Sequence, residues 1–160
     1  MKQSTLANWL KLMILGVGLC GLLIYAVAVP ALGQAVAVAE DGLYDHCFWP
    51  WLVLIWATGL PIVAALVLAW RIAGNIGADK SFSLDNGRYL KWISALAAGD
   101  GAFFLLGNVV YLFMGMNHPG ILLFSLLVVF VAIAVAVASA ALSRLVTKAA
   151  RLQEQSDWTI

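Results

Sequence analysis

The sequence predicts an all-α protein, an integral membrane four-helix bundle with both termini on the cytoplasmic side (N-in/C-in) and a short cytoplasmic C-terminal helical extension. Three observations predict it. Of 160 residues, 64% are apolar and only 11% are charged, with a mean hydropathy of +0.97. A soluble domain carries roughly 25% charged residues, and a globule of this size still leaves about a third of its unfolded-chain surface in water. Second, the apolar residues fall into four runs, each long enough for a hydrocarbon core that is about 30 Å thick and needs around 20 residues. Lipid cannot satisfy backbone polar groups, so runs of this length without apolar/polar alternation are helices. Third, all nine Lys and Arg fall on one side of those runs, together with both termini, and the positive-inside rule makes that side cytoplasmic.

The same composition argues against a soluble enzyme, a disordered chain and a disulfide scaffold. A net charge of +1 gives no basic field for direct contact with nucleic acid. Cys20 and Cys47 are too few for a disulfide framework. The chain reads as a single membrane domain.

The first span covers about residues 9–30, with Lys11 near its start and Gly16, Gly18, Cys20 and Gly21 along it. Its apolar stretch exceeds the 7–15 residues of a secretory signal core, so a retained helix is expected. The link 31–47 holds Glu40, Asp41 and Asp45 but no Lys or Arg. The second span is 48–70. Trp49 and Trp51 flank Pro50 at its outer start and Trp70 sits at its inner edge, where amphipathic rings prefer headgroup depth. Pro50 suits a first-turn position, whereas Pro61 lies mid-helix and should bend it or free the carbonyl near Ala57.

The cytoplasmic loop 71–91 supplies Arg71, Lys80, Arg88 and Lys91. In it, residues 74–80 look like a helix end and a turn, and Ser83 is placed to cap a new helix with Asp85 in its first turn. Phe82, just before the cap, is placed to pack back on the bundle. The third span, 92–113, is the weakest by hydropathy because it contains Asp100 and Asn108. A tight Met116-Asn117-His118-Pro119 link leads to the fourth span, 119–142, which carries Ala132, Ala136 and Ala140 at helical spacing. Such small residues let helices approach closely in lipid, within one chain or equally well in a homo-oligomer. The tail, 143–160, keeps an apolar stripe beside Arg144, Lys148 and Arg151. It suits either the inner leaflet, held by anionic lipid, or a docked partner.

Asp100 is the one ionisable residue deep in a span. An intramembrane acid is costly and should face the bundle interior, as a relay, a contact or an interhelical hydrogen bond. Thr58, Asn108 and Ser139 are its candidate partners. His46 and His118 sit on the outer side with Asp45 and Cys47, without the spacing of a metal motif. No nucleophile–base pair, phosphate loop or zinc-protease signature occurs. Catalytic residues, metals and cofactors are therefore not expected.

Two segments carry more than their local physics. Phe82-Ser83-x-x-Asn86-x-x-x-Leu90 before the third span, and Asp157-Trp158-Thr159-Ile160 at the C-terminus, resemble the two hallmarks of a bacterial four-span membrane family catalogued as domain of unknown function 2975. That resemblance implies no enzyme activity. It implies a location in the bacterial cytoplasmic (inner) membrane. It further implies a membrane component of a regulatory pair with a small helix-turn-helix transcription regulator, since such genes often lie side by side in the family. Phe82, Ser83, Asn86 and Leu90 would form one contact element and Asp157, Thr159 and Ile160 the other. The alternative functions are a small transporter or channel subunit using Asp100 and an outward-facing sensor.

Overall fold

A computed structural model describes residues 3–42 and 45–157 as helices and short turns, with no strand among the described residues. Helix α1 (Gln3–Leu23) passes through a π-helical segment (Ile24–Ala28) into α2 (Val29–Gly42). Helices α3 (Asp45–Gly77), α4 (Leu84–Phe113) and α5 (Pro119–Asp157) follow. Four rods are long and apolar enough to cross a membrane: Gln3–Val38, Asp45–Gly77, Leu84–Phe113 and Pro119–Ser156. Many large side chains face outward, with Leu60, Phe113 and Phe130 all exposed, while most buried positions are small or polar, such as Ala73, Asn86, Asn108, Ser125 and Ala136, with Leu52, Leu54 and Val129 among them. Lipid provides no hydrophobic drive between helices, so small residues that allow close approach and polar groups that bond across the interface take the interior.

Each rod is longer than the apolar run that defines it. The first does not stop at Pro30 but continues as helix to Gly42. Proline has no N–H and should end the helix. The π segment resolves this by shifting the register, so that Val29 N–H bonds the Ile24 carbonyl five residues back. The Tyr25 carbonyl would then need the N–H of residue 30, which proline lacks. The indole of Trp56 on α3 donates to that carbonyl at 3.0 Å. The Tyr25 hydroxyl meets Thr58 Oγ1 at 2.8 Å, and Thr58 donates to the Ile55 carbonyl at 2.6 Å. The Tyr25 ring lies against Gly59, where a side chain would crowd it.

Pro50 also lies inside its helix, because α3 begins at Asp45 and not at residue 48. Its carbonyl accepts from the Tyr111 hydroxyl at 2.9 Å. Most of the stretch 71–91 is helical too: α3 runs to Gly77 and α4 starts at Leu84, leaving a short turn in which Asp79 adopts φ 57°, a left-handed conformation that Asp tolerates.

The rods stand in chain order. Backbones approach closely between α1 and α3, α2 and α3, α3 and α4, and α4 and α5, and among the described residues α1 and α5 do not meet. The α4–α5 pair is the most extensive. On α5, Ser125, Val129, Ala132, Ala136, Ser139, Ser143 and Ala150 are buried or partly buried, a three–four alternation that repeats every seven residues. On α4, Gly87, Ser94, Gly101 and Asn108 answer at seven-residue steps. Ser94 donates to the Ala136 carbonyl at 2.7 Å, and Gly101 leaves room for the Ala132 methyl. A seven-residue repeat keeps its seam facing the partner through left-handed supercoiling.

The two ends of the molecule differ in charge. Ser81 donates to Gln3 at 3.1 Å, Gly77 abuts Ala7, and Ser143 donates to the Gly87 carbonyl at 2.6 Å. These contacts gather Lys11, Arg71, Lys80, Arg88, Lys91, Arg144, Lys148 and Arg151 at one end. At the other end, Trp51 donates to the Met116 carbonyl at 2.8 Å and stacks edge-on against Tyr111. Phe48 there lies against Gly33.

Candidate functional site

At the basic end, the turn between α3 and α4 is built around Asn86. Ser83 caps α4, its hydroxyl accepting from Asn86 N at 3.2 Å, which satisfies one of the helix's orphan donors. The Asn86 side chain is only 1% exposed. Its amide nitrogen donates to the carbonyls of Lys80 and Ser81 at 3.1 and 3.0 Å, and its oxygen accepts from Asn75 on α3 at 2.7 Å. One residue on, Gly87 accepts the Ser143 hydroxyl from α5 and leaves the space that Thr147 fills. Ser83 and Asn86 thus join α3, the turn and α4, and Gly87 joins α5 to them. Phe82 does not pack back on the bundle; it is 59% exposed. Leu90 is partly buried. The Asp157 side chain, Thr159 and Ile160 lie outside the described residues.

Within the membrane, Asn108 is fully buried. It donates to the Phe104 carbonyl at 2.9 Å, and its oxygen lies 2.7 Å from Ser125 Oγ and 3.3 Å from Asn117 Nδ2. This network pins α4, the connecting turn and α5 near the less charged end. Asp100 lies two turns of α4 away and shares the seven-residue phase of Asn86 and Gly107, both of which meet α3. That phase puts it on the α3 side, at the level of Pro61. Its Oδ1 is buried and has no hydrogen-bond partner among the described residues. Of its expected partners, Thr58 is bonded to Tyr25 and Ile55, and Asn108 to Phe104 and Ser125. The structure therefore leaves the acid unengaged at the level of Pro61, one of two prolines inside α3.

On the less charged end, His46 Nε2 lies 3.3 Å from the sulfur of neighbouring Cys47, and His118 Nδ1 accepts from Gly120 N. Among the described residues no three metal-ligating side chains converge. A shallow groove at the basic end of α5 is lined by Ser143, Arg144, Thr147, Lys148, Arg151 and Leu152.

The turn cluster, the polar seam and the tail all fall within residues 34–160, over which the chain matches the model of a protein family of unknown function, DUF2975. The chain belongs to that family. Within DUF2975 the resemblance read from Phe82-Ser83-x-x-Asn86 is thereby established at the level of family. The chain is also 25% identical over 161 residues to an uncharacterized membrane protein, YoaS, of Bacillus subtilis (strain 168), and the alignment covers 99% of each chain. No solved structure matches the chain. It is thus a multi-pass helical membrane protein of a family whose function is unknown.

The hallmark segment of this DUF2975 chain is explained first by architecture, since Ser83 and Asn86 spend their polar groups inside the turn. Asn75 was not singled out from sequence, although an Asn at the end of an apolar helix was the available signal. The Tyr25–Trp56–Thr58 lock was also missed, and its signal was Pro30 followed by helix-compatible residues.

Proposed function

We propose that the chain is a non-enzymatic protein of the bacterial inner membrane, oriented with its basic end in the cytoplasm, that acts by binding a partner there. The partner proposed is a helix-turn-helix transcription regulator held at the membrane. One observation carries the reading: Phe82 is a large apolar side chain left exposed on a polar turn that the hydrogen bonds of Asn86 and Ser83 hold together. A few large side chains buried in a partner's pocket carry most of the energy of a docking surface, and Phe82 is available for that role. The charge asymmetry of the two ends supports the orientation through the positive-inside rule. A photocrosslinker at Phe82 in native membranes should capture the regulator. Phe82→Ala should abolish capture by a crosslinker placed at Ser81 while leaving membrane abundance unchanged. Loss of abundance in Phe82→Ala, with no captured species in the unsubstituted protein, would sink the proposal.

A second reading rests on Asp100, whose unpartnered buried oxygen suits a proton or cation path in a transporter or channel subunit. Proteoliposomes loaded with a pH-sensitive dye should then show flux that Asp100→Asn removes without altering the thermal midpoint. Equal flux in both proteins excludes this reading.

A further inference from the structure

The groove on α5 lies on a different helix from the turn that carries Phe82, and its chemistry suits a different ligand. Arg144, Lys148 and Arg151 line it and are all exposed, and among the described residues they have no carboxylate partner, the one ion pair there being Arg88–Asp85. Thr147, whose side chain fills the space over Gly87, faces the same groove. The cations stand at positions 144, 148 and 151 of an unbroken helix, so they share one face. That face continues into the membrane. Stepping back from Arg144 by seven residues at a time gives Val137 and Phe130, which are 64% and 68% exposed. The apolar part of α5, residues 119–142, spans about 36 Å at 1.5 Å per residue, slightly more than the hydrocarbon core of about 30 Å. Arg144 therefore stands where hydrocarbon gives way to headgroups, and Lys148 and Arg151 rise through the headgroup layer.

We propose that this groove is a binding site for an anionic phospholipid from the leaflet at the basic end. Its phosphate is held by Arg144, Lys148 and Arg151, and its acyl chains run along Val137 and Phe130. A phosphodiester supplies the acceptor oxygens that guanidinium groups match, and the lipid-facing apolar track directly below selects a lipid over a soluble phosphate. The site is independent of the proposed regulator and does not require one.

The test uses the full chain in detergent, titrated with dioleoyl phosphatidylglycerol or dioleoyl phosphatidylcholine, with bound lipid counted by native mass spectrometry. Phosphatidylglycerol should bind, and the triple variant Arg144→Gln/Lys148→Gln/Arg151→Gln should weaken it by about tenfold or more, since each cation near an anionic lipid contributes appreciably. Phosphatidylcholine should bind weakly and equally to both. The control Lys80→Gln/Arg88→Gln/Lys91→Gln removes the same charge from the neighbouring turn and α4, and should retain phosphatidylglycerol affinity within about twofold. If the first triple variant fails to fold, Lys148→Gln alone should still weaken binding severalfold. Equal losses in the two triple variants would overturn the proposal, because a diffuse field would then account for binding. Displacement of the lipid by millimolar inorganic phosphate or by polyglutamate would also overturn it, in favour of a soluble anion or an acidic protein.

Discussion

Asn86 illustrates how one side chain can decide a turn. It has two N–H donors and one carbonyl acceptor, and all are used at once: two backbone carbonyls of the turn and the amide of Asn75. Removing it leaves buried polar groups unpaired, which costs more than the net value of the bonds themselves. Asn86→Ala should destabilise the protein by about 2–4 kcal/mol, seen as a lower thermal midpoint in detergent and lower membrane abundance. Ser83→Ala removes only a cap and should cost about 1 kcal/mol. Phe82→Ala truncates an exposed ring and should stay within about 0.5 kcal/mol. The three neighbours of one short segment are thereby separated by measurement into a keystone, a cap and a free surface residue. Sequence alone places them together, because spacing reveals Ser83 as a cap but cannot reveal that Asn75 is waiting across the turn.

At the scale of elements, the four spans were legible because hydrophobic length is a coarse signal that survives local irregularity. Their extents were not. Pro30 reads as a stop, and it fails to stop the helix only because the π segment and the Trp56 indole, which comes from another helix, together accommodate the lost hydrogen bond. No local pattern contains that second participant. The coupling can be measured. Trp56→Phe should cost about 1 kcal/mol in the unsubstituted protein, the net value of one hydrogen bond. In a Pro30→Ala background the backbone can supply its own donor, so the same substitution should cost nearly nothing. A double-mutant cycle on thermal unfolding in detergent reads the difference as a coupling energy. Additive costs would mean that the indole and the proline act separately. The polar seam of α4 and α5 was partly legible: Asn108, the alanine stripe and Ser139 beside it are visible in the sequence, but Ser94, Ser125 and Ser143, which complete the seven-residue repeat, become visible only once the two helices are paired.

At the scale of the molecule, the separation of charge between the ends turns the expected orientation into a labelling experiment. In a chain with Cys20→Ser and Cys47→Ser, a cysteine at Lys80 should react with a membrane-impermeant maleimide only after cells are opened. A cysteine at His118 should react in intact cells. The reverse pattern would invert the topology and move every basic residue to the outside. Such a result would also relocate the exposed Phe82 and the cationic groove, so this measurement precedes any test of partner or lipid. Asp100 is the site that sequence located but could not furnish with surroundings, since its neighbours on α3 depend on a helix register that only the paired fold supplies. Helix α5 has a mechanical consequence as well. From Ile121 to Asp157 it contains neither Gly nor Pro, and its 39 residues make a rod about 58 Å long at 1.5 Å per residue. It has no Gly or Pro joint at the membrane surface, so its intramembrane part and its tail form one rod, and a tilt of about 5° would carry the tip sideways by about 5 Å.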